Sequence, residues 1–170
     1  MAISEATKKE LEEIYQSLLN DDRVRRMLDI PMHRGSNCYI HSFMVAKIAL
    51  NKAIKKRKPL DYKALLYACI FHDYYLYDWR KDRSKRKGHG RNHPRIAIEN
   101  AKKDFDLPEA SETIIASHMW PLNFKKYPKG IEARLLSLAD KKVAIKEVFI
   151  SKKRKFKNKN RLLEYIKTLF

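Results

Sequence analysis

Apolar residues recur at helical spacing nearly throughout this 170-residue chain, and no long stretch alternates in the strict two-residue period of a strand. The pattern predicts an all-α fold. Thr7 and Glu10 form a capping box ahead of Leu11, Ile14, Tyr15 and Leu18, which share one helix face. Asp21 or Asp22 is placed to cap a short second helix that Pro31 ends. A third helix is expected from Ser36 or Asn37 to the turn before Pro59, with His41, Met44, Val45 and Ile48 facing inward. Asp61 caps a fourth, in which Leu65, Cys69 and His72 recur at i, i+4 and i+7. Residues 79–92 read as a basic loop, and Pro94 suits the first position of a fifth helix, which puts His93 at or beside its N-cap. A sixth begins near Pro108 and carries Ile114, Ile115 and His118. The seventh, from about Ile131, aligns Leu136, Asp140 and Val143, and Leu162, Leu163, Ile166 and Leu169 close the chain. This amounts to a bundle of seven to eight helices.

A chain of this length with 44% hydrophobic residues suits one domain over 1–170. Its two cysteines, Cys38 and Cys69, form no Cys-x-x-Cys pair, so neither a disulfide framework nor a thiolate zinc site is indicated, and a reducing cytoplasm is expected. The acidic first dozen residues do not read as a signal peptide, and nothing approaches the ~18 apolar residues of a membrane span. The net charge of +18 predicts a field that attracts anions. Basic runs at 55–58, 81–91 and 151–159 are either solvated surface or contacts for phosphate. Together they favour a phosphate-containing small molecule, a nucleotide above all, with nucleic acid as an alternative partner.

Imidazoles and carboxylates interrupt the apolar stripes in an ordered series. His41 precedes the pair His72-Asp73, and His93, His118 and Asp140 follow at intervals of 21, 25 and 22 residues. A polar group in a core stripe costs free energy unless it is satisfied, and a metal would satisfy all six. Imidazole with carboxylate suits Mn, Fe, Zn, Ni or Co, and the absence of thiolate argues for catalysis over a structural zinc. Adjacent ligands at His72 and Asp73 can serve different ions, so the spacing permits two divalent metals per chain. Asp73 would then bridge them, and a metal-activated hydroxide would attack a phosphoester in line. No glycine-rich phosphate loop or Gly-x-Ser-x-Gly elbow offers a competing chemistry.

Through the segments CYIHSFMVAKIA, ACIFHDYYLYDW, RNHPRIAIENA, IIASHMWP and LLSLADKKVA, over about residues 33–149, the chain resembles the HD-domain metal-dependent phosphohydrolases. The resemblance implies a helical HD-domain core, with the helices over 5–30 and 160–170 packed on it. It implies that His41, His72, Asp73 and Asp140 hold one metal, while Asp73, His93 and His118 hold another. Relatives that cleave cyclic di-GMP carry Gly-Lys after the pair and His-His-Glu before a Gly-Tyr-Pro element. Here Met119 and Trp120 follow His118, Lys126 precedes Tyr127-Pro128, and no Gly-Lys follows Asp73, so cyclic di-GMP is not indicated. The ligand order is also similar to that of cyclic di-AMP phosphodiesterases, of CRISPR-associated HD nucleases and of nucleotide phosphohydrolases.

Beyond the six, His33 is either a surface residue or a donor at the site mouth. His89 is expected to be exposed in its basic loop. Arg91 and Arg95, beside a ligand helix, and Lys141 and Lys142, directly after Asp140, are candidates to hold substrate phosphate. Asp78 is either a partner that orients a ligating histidine or one half of a helix-end ion pair. Tyr74, Tyr75, Tyr77, Trp79 and Trp120 are core residues or a stacking surface for a base.

Overall fold

The computed structural model describes residues 3–32, 36–81, 83–151 and 157–170, with no account of the side chains at 150, 151 and 157–159. His33 and most of the basic run at 151–159 lie outside these residues. Among them the chain forms nine α-helices, one 3-10 turn and no strand: α1 (Glu5–Asn20), α2 (Asp22–Arg25), α3 (Cys38–Lys55), α4 (Tyr62–Phe71), α5 (Arg83–Arg86), α6 (His89–Asp104), α7 (Glu109–Ala116), α8 (Gly130–Ser151) and α9 (Lys157–Tyr165). Two of the nine, α2 and α5, are single four-residue turns, which is why the sequence suggests fewer.

Side-chain caps decide where several helices begin. Asn37 accepts from the Ile40 amide at 2.9 Å and opens α3, and Asp61 accepts from the Ala64 amide at 2.8 Å and opens α4. At α1 the cap is Ser4, whose hydroxyl accepts from the Thr7 amide at 3.0 Å, so the helix starts before the expected Thr7-Glu10 box. α6 differs more. It begins at His89, and Pro94 sits inside it rather than at its start. Gly88 makes this possible by adopting φ of +84°, a left-handed turn that a side chain would resist.

α3 is the central helix, packed chiefly against α8 and α4. Every residue from Cys38 to Ala46 is buried, on all faces, whereas Ile48 is only partly so. A one-face periodicity reading misses this, because a helix enclosed on several sides is apolar all round. The C-terminal segment closes over α1 and α3: Tyr15 donates to the Ile166 carbonyl at 2.7 Å, and the Lys47 ammonium donates to the Thr168 carbonyl at 2.7 Å. Ile166 and Leu169 thereby enter the same apolar core as Leu11 and Phe43. No helix among the described residues is long and apolar enough to cross a membrane.

Candidate metal centre

Five helices, two of them through the residues just past their C-terminal ends, aim polar side chains at a single point inside the bundle. His41 comes from the first turn of α3, His72 is the residue that ends α4, and Asp73 follows it. His93 lies in the second turn of α6, His118 just beyond α7, and Asp140 midway along α8. All are buried except Asp140, whose side chain is 14% exposed.

Backbone carbonyls fix the tautomers of three imidazoles. The Nδ1 atoms of His72, His93 and His118 lie 2.8, 2.9 and 2.8 Å from the carbonyls of Cys69, His89 and Ile115. A carbonyl only accepts, so each Nδ1 carries the proton and each Nε2 presents a lone pair inward. These lone pairs face one another and the carboxylates. The Nε2 atoms of His93 and His118 are 3.0 Å apart. His72 Nε2 is 3.3 Å from Asp73 Oδ2 and 3.8 Å from Asp140 Oδ1, yet it has hydrogen-bonding geometry to neither. Acceptor against acceptor in a buried pocket is repulsive without a cation between them, and this is the arrangement a metal resolves.

Asp73 divides the cluster. Its Oδ2 lies 3.3 Å from His72 Nε2 and 4.0 Å from His41 Nε2, while Oδ1 lies 3.2 Å from His93 Nε2 and 3.9 Å from His118 Nε2. His41 Nε2 is also 3.1 Å from Asp140 Oδ1. Three overlapping sets of donor atoms close enough to share an ion result: His41, His72 and Asp73; His72, His118 and Asp140; and Asp73, His93 and His118.

The charges support the same picture. Burial opposes the charged form of His72, but Asp73 and Asp140 outweigh it and lift the imidazole to about 9. Against the same burial, Asp140 and Glu147 hold His41 well above its ordinary value. Burial would raise both carboxyls, yet His72 and His93 hold Asp73 far below the usual range, and His41 and His72 do so for Asp140. Burial and the imidazoles of His93 and His72 press His118 down to about 3. Without a cation in the cluster, these shifts put a second proton on His41 and His72, in the place where a metal would supply the positive charge that the carboxylates demand.

The HD domain family matches residues 38–145, well over half of the chain and every one of these six positions. The chain belongs to the HD domain family. HD domains are typically metal-dependent phosphohydrolases, and the histidine and aspartate cluster fits that chemistry. Comparison with curated proteins and with solved structures gives no match.

In this HD domain Asp78 takes the second of the two roles the sequence left open for it, the ion pair. Asp78 accepts from the Arg80 amide at 3.0 Å and lies 3.9 Å from Lys81, a turn and ion pair away from the histidines. Glu147 does the orienting: its Oε2 accepts a hydrogen bond from His41 Nδ1 at 3.0 Å, and its Oε1 accepts from Ser36 at 2.7 Å. The signal was present, since Glu147 continues the stripe of Leu136, Asp140 and Val143 by one more turn.

A cavity of about 340 Å³ opens over the cluster, lined by Asp73, His93, His118 and Asp140 at its base and by Met32, Trp79, Met119, Trp120 and Leu122 on its walls. Of the basic candidates Lys141 lines it, while Arg91, Arg95 and Lys142 are exposed and do not, and Arg95 pairs with Glu99 one turn along α6. Lys141 is turned to the protein. Its ammonium donates to the His118 carbonyl at 3.1 Å and to the Ser137 carbonyl and hydroxyl at 3.2 and 2.7 Å. Tyr74 is core, Tyr75 is buried but also lines the cavity, and Trp79 and Trp120 face it. Arg80 and His89, neither expected at the site, also line it.

Proposed function

We propose that this HD domain is a metal-dependent phosphohydrolase that uses two divalent transition ions (Mn, Fe, Ni, Co or Zn) to cleave a nucleotide or a small phosphodiester. The observation that carries this reading is the division of the Asp73 carboxylate, one oxygen toward His41 and His72 and the other toward His93 and His118. His41, His72, Asp140 and Asp73 Oδ2 would hold one ion, and His93, His118 and Asp73 Oδ1 the other. Paired divalent ions supply Lewis acidity, which brings the pKa of water near neutrality and neutralises phosphoryl oxygens.

The chain's own part is orientation and enclosure. Carbonyls and Glu147 point the imidazoles, and Lys141 with Ser137 ties the His118 backbone to α8. Apolar walls exclude water and offer Trp79 and Trp120 to a flat base. The test is elemental analysis of untagged protein beside Asp73→Ala and His118→Ala, followed by phosphoester hydrolysis assays. About two ions per chain, lost from both variants along with activity, supports the reading; no metal after reconstitution with Mn or Fe sinks it.

A second reading, a nuclease on single strands, draws on α5. This exposed basic turn is anchored beside the cavity through Arg86, which donates to the Arg80 carbonyl at 2.6 Å. Salt separates the two, because a polymer that releases many counterions binds with a steep dependence and a mononucleotide does not.

A further inference from the structure

Four aromatic side chains fix His89, whose carbonyl orients His93 but whose imidazole belongs to none of the ligand sets. Its imidazole stacks on Trp79 (ring centroids 5.1 Å apart, planes at 19°) and on His93 (4.8 Å, 25°). Both neighbours lie near-parallel to the ring at stacking distance. Tyr75 meets it edge-on at 4.8 Å, and the Tyr77 hydroxyl lies 2.9 Å from its Nδ1. A solvated surface histidine needs no such clamp.

The clamp also sets the tautomer. Phenol is a stronger acid than neutral imidazole, so Tyr77 donates to Nδ1 and the ring proton resides on Nε2. Among the described residues, Tyr77 alone hydrogen-bonds this ring. His89 lines the cavity, and the two cationic side chains on its walls are directed at protein acceptors. Lys141 directs its ammonium at His118 and Ser137, and Arg80 donates to the Met32 carbonyl while lying over the Trp79 ring.

We propose that His89 is a substrate-binding residue, whose Nε2–H donates to a non-bridging oxygen of a phosphate mono- or diester held at the metal centre. This rests on the phosphohydrolase reading. A rigid neutral donor to an anionic oxygen gives a charge-assisted bond without adding a cation that would compete with the metals for the carboxylates.

The experiment uses Mn-reconstituted full-length protein: wild type, His89→Phe, which keeps a ring in the stack, and Tyr77→Phe, which frees the tautomer. Three quantities are read: metal content, affinity for inorganic phosphate by titration calorimetry, and hydrolysis of bis-p-nitrophenyl phosphate. The expected result is full metal content in both variants, with phosphate bound about tenfold more weakly by His89→Phe and a few-fold more weakly by Tyr77→Phe. Wild-type phosphate affinity in a fully metallated His89→Phe overturns the proposal and leaves the ring as a wall. Loss of metal from His89→Phe also overturns it, assigning the ring to support of His93. Should that variant not fold, unchanged phosphate affinity in Tyr77→Phe has the same force. Wild type that binds metal and phosphate but cleaves no ester fails as a phosphohydrolase, while His89 is still judged by phosphate affinity. Wild type that binds neither overturns both readings.

Discussion

The Asp73 carboxylate and the four imidazoles around it form a set of inward-facing acceptors, and their orientation depends on groups one layer out. Glu147 is the most informative of these, because it sets a carboxylate behind a candidate ligand, His41, whereas His72, His93 and His118 rest on backbone carbonyls. Glu147→Gln keeps the size and a hydrogen bond but removes the charge that favours a proton on His41 Nδ1. Partners in this position typically contribute 10- to 100-fold in metal affinity. The variant is expected to fold as wild type and to lose metal to a competing chelator at about tenfold lower concentration. An unchanged competition curve would reduce Glu147 to a packing role. At this scale the six ligand candidates were legible in the sequence: His41, His72, His118 and Asp140 as residues that break an apolar stripe, Asp73 as the neighbour of His72, and His93 as the residue before Pro94. His89 was not, because its sequence neighbours are basic and glycine-rich while its ring contacts come from Trp79, Tyr75 and Tyr77.

The helices deliver these side chains by their ends more than by their middles. Caps at Asn37 and Asp61 fix the starts of α3 and α4, and α6 gains a turn because Gly88 supplies the left-handed conformation ahead of it. That added turn sets the cavity wall. A Cβ at Gly90 would come within 2.8 Å of Leu122 Cδ2, so the absence of a side chain there lets residues 119–122 close over the start of α6. Leu122 is 56% exposed and its side-chain tip can yield. Gly90→Ala is therefore expected to leave the protein as stable or firmer by up to about 1 kcal/mol, from the helix preference of alanine. The displaced Leu122 would raise KM several-fold with little change in kcat. A fall in melting temperature would show that the contact is rigid instead.

At the scale of the whole molecule, a buried cluster of mutually repelling acceptors links metal binding to folding. A ligand that binds only the native state stabilises it by about 2.7 kcal/mol at one hundred times its Kd. Added Mn or Co should therefore raise the melting temperature of wild type by several degrees, chelation should reverse the rise, and Asp73→Ala should show neither response. The net charge of +18 acts on a longer range. It should accelerate and strengthen binding of nucleotides at low salt, with a shallow slope of log affinity against log salt. A slope steeper than about −3, as a strand contacting several cations would give, would favour the nuclease reading.

The sequence by itself determined the all-α character, the principal helices and the ordered series of histidines and aspartates, since these depend on spacing along one chain. Helical period and ligand type are local properties. Tertiary structure alone decided that the first half of α3 is enclosed on every side, that Glu147 rather than Asp78 stands behind a ligand, that Lys141 is committed to His118 and Ser137, and that His89 is clamped at the cavity. Each of these depends on side chains distant in sequence meeting at angles set by helix packing, and residue spacing carries no record of those angles.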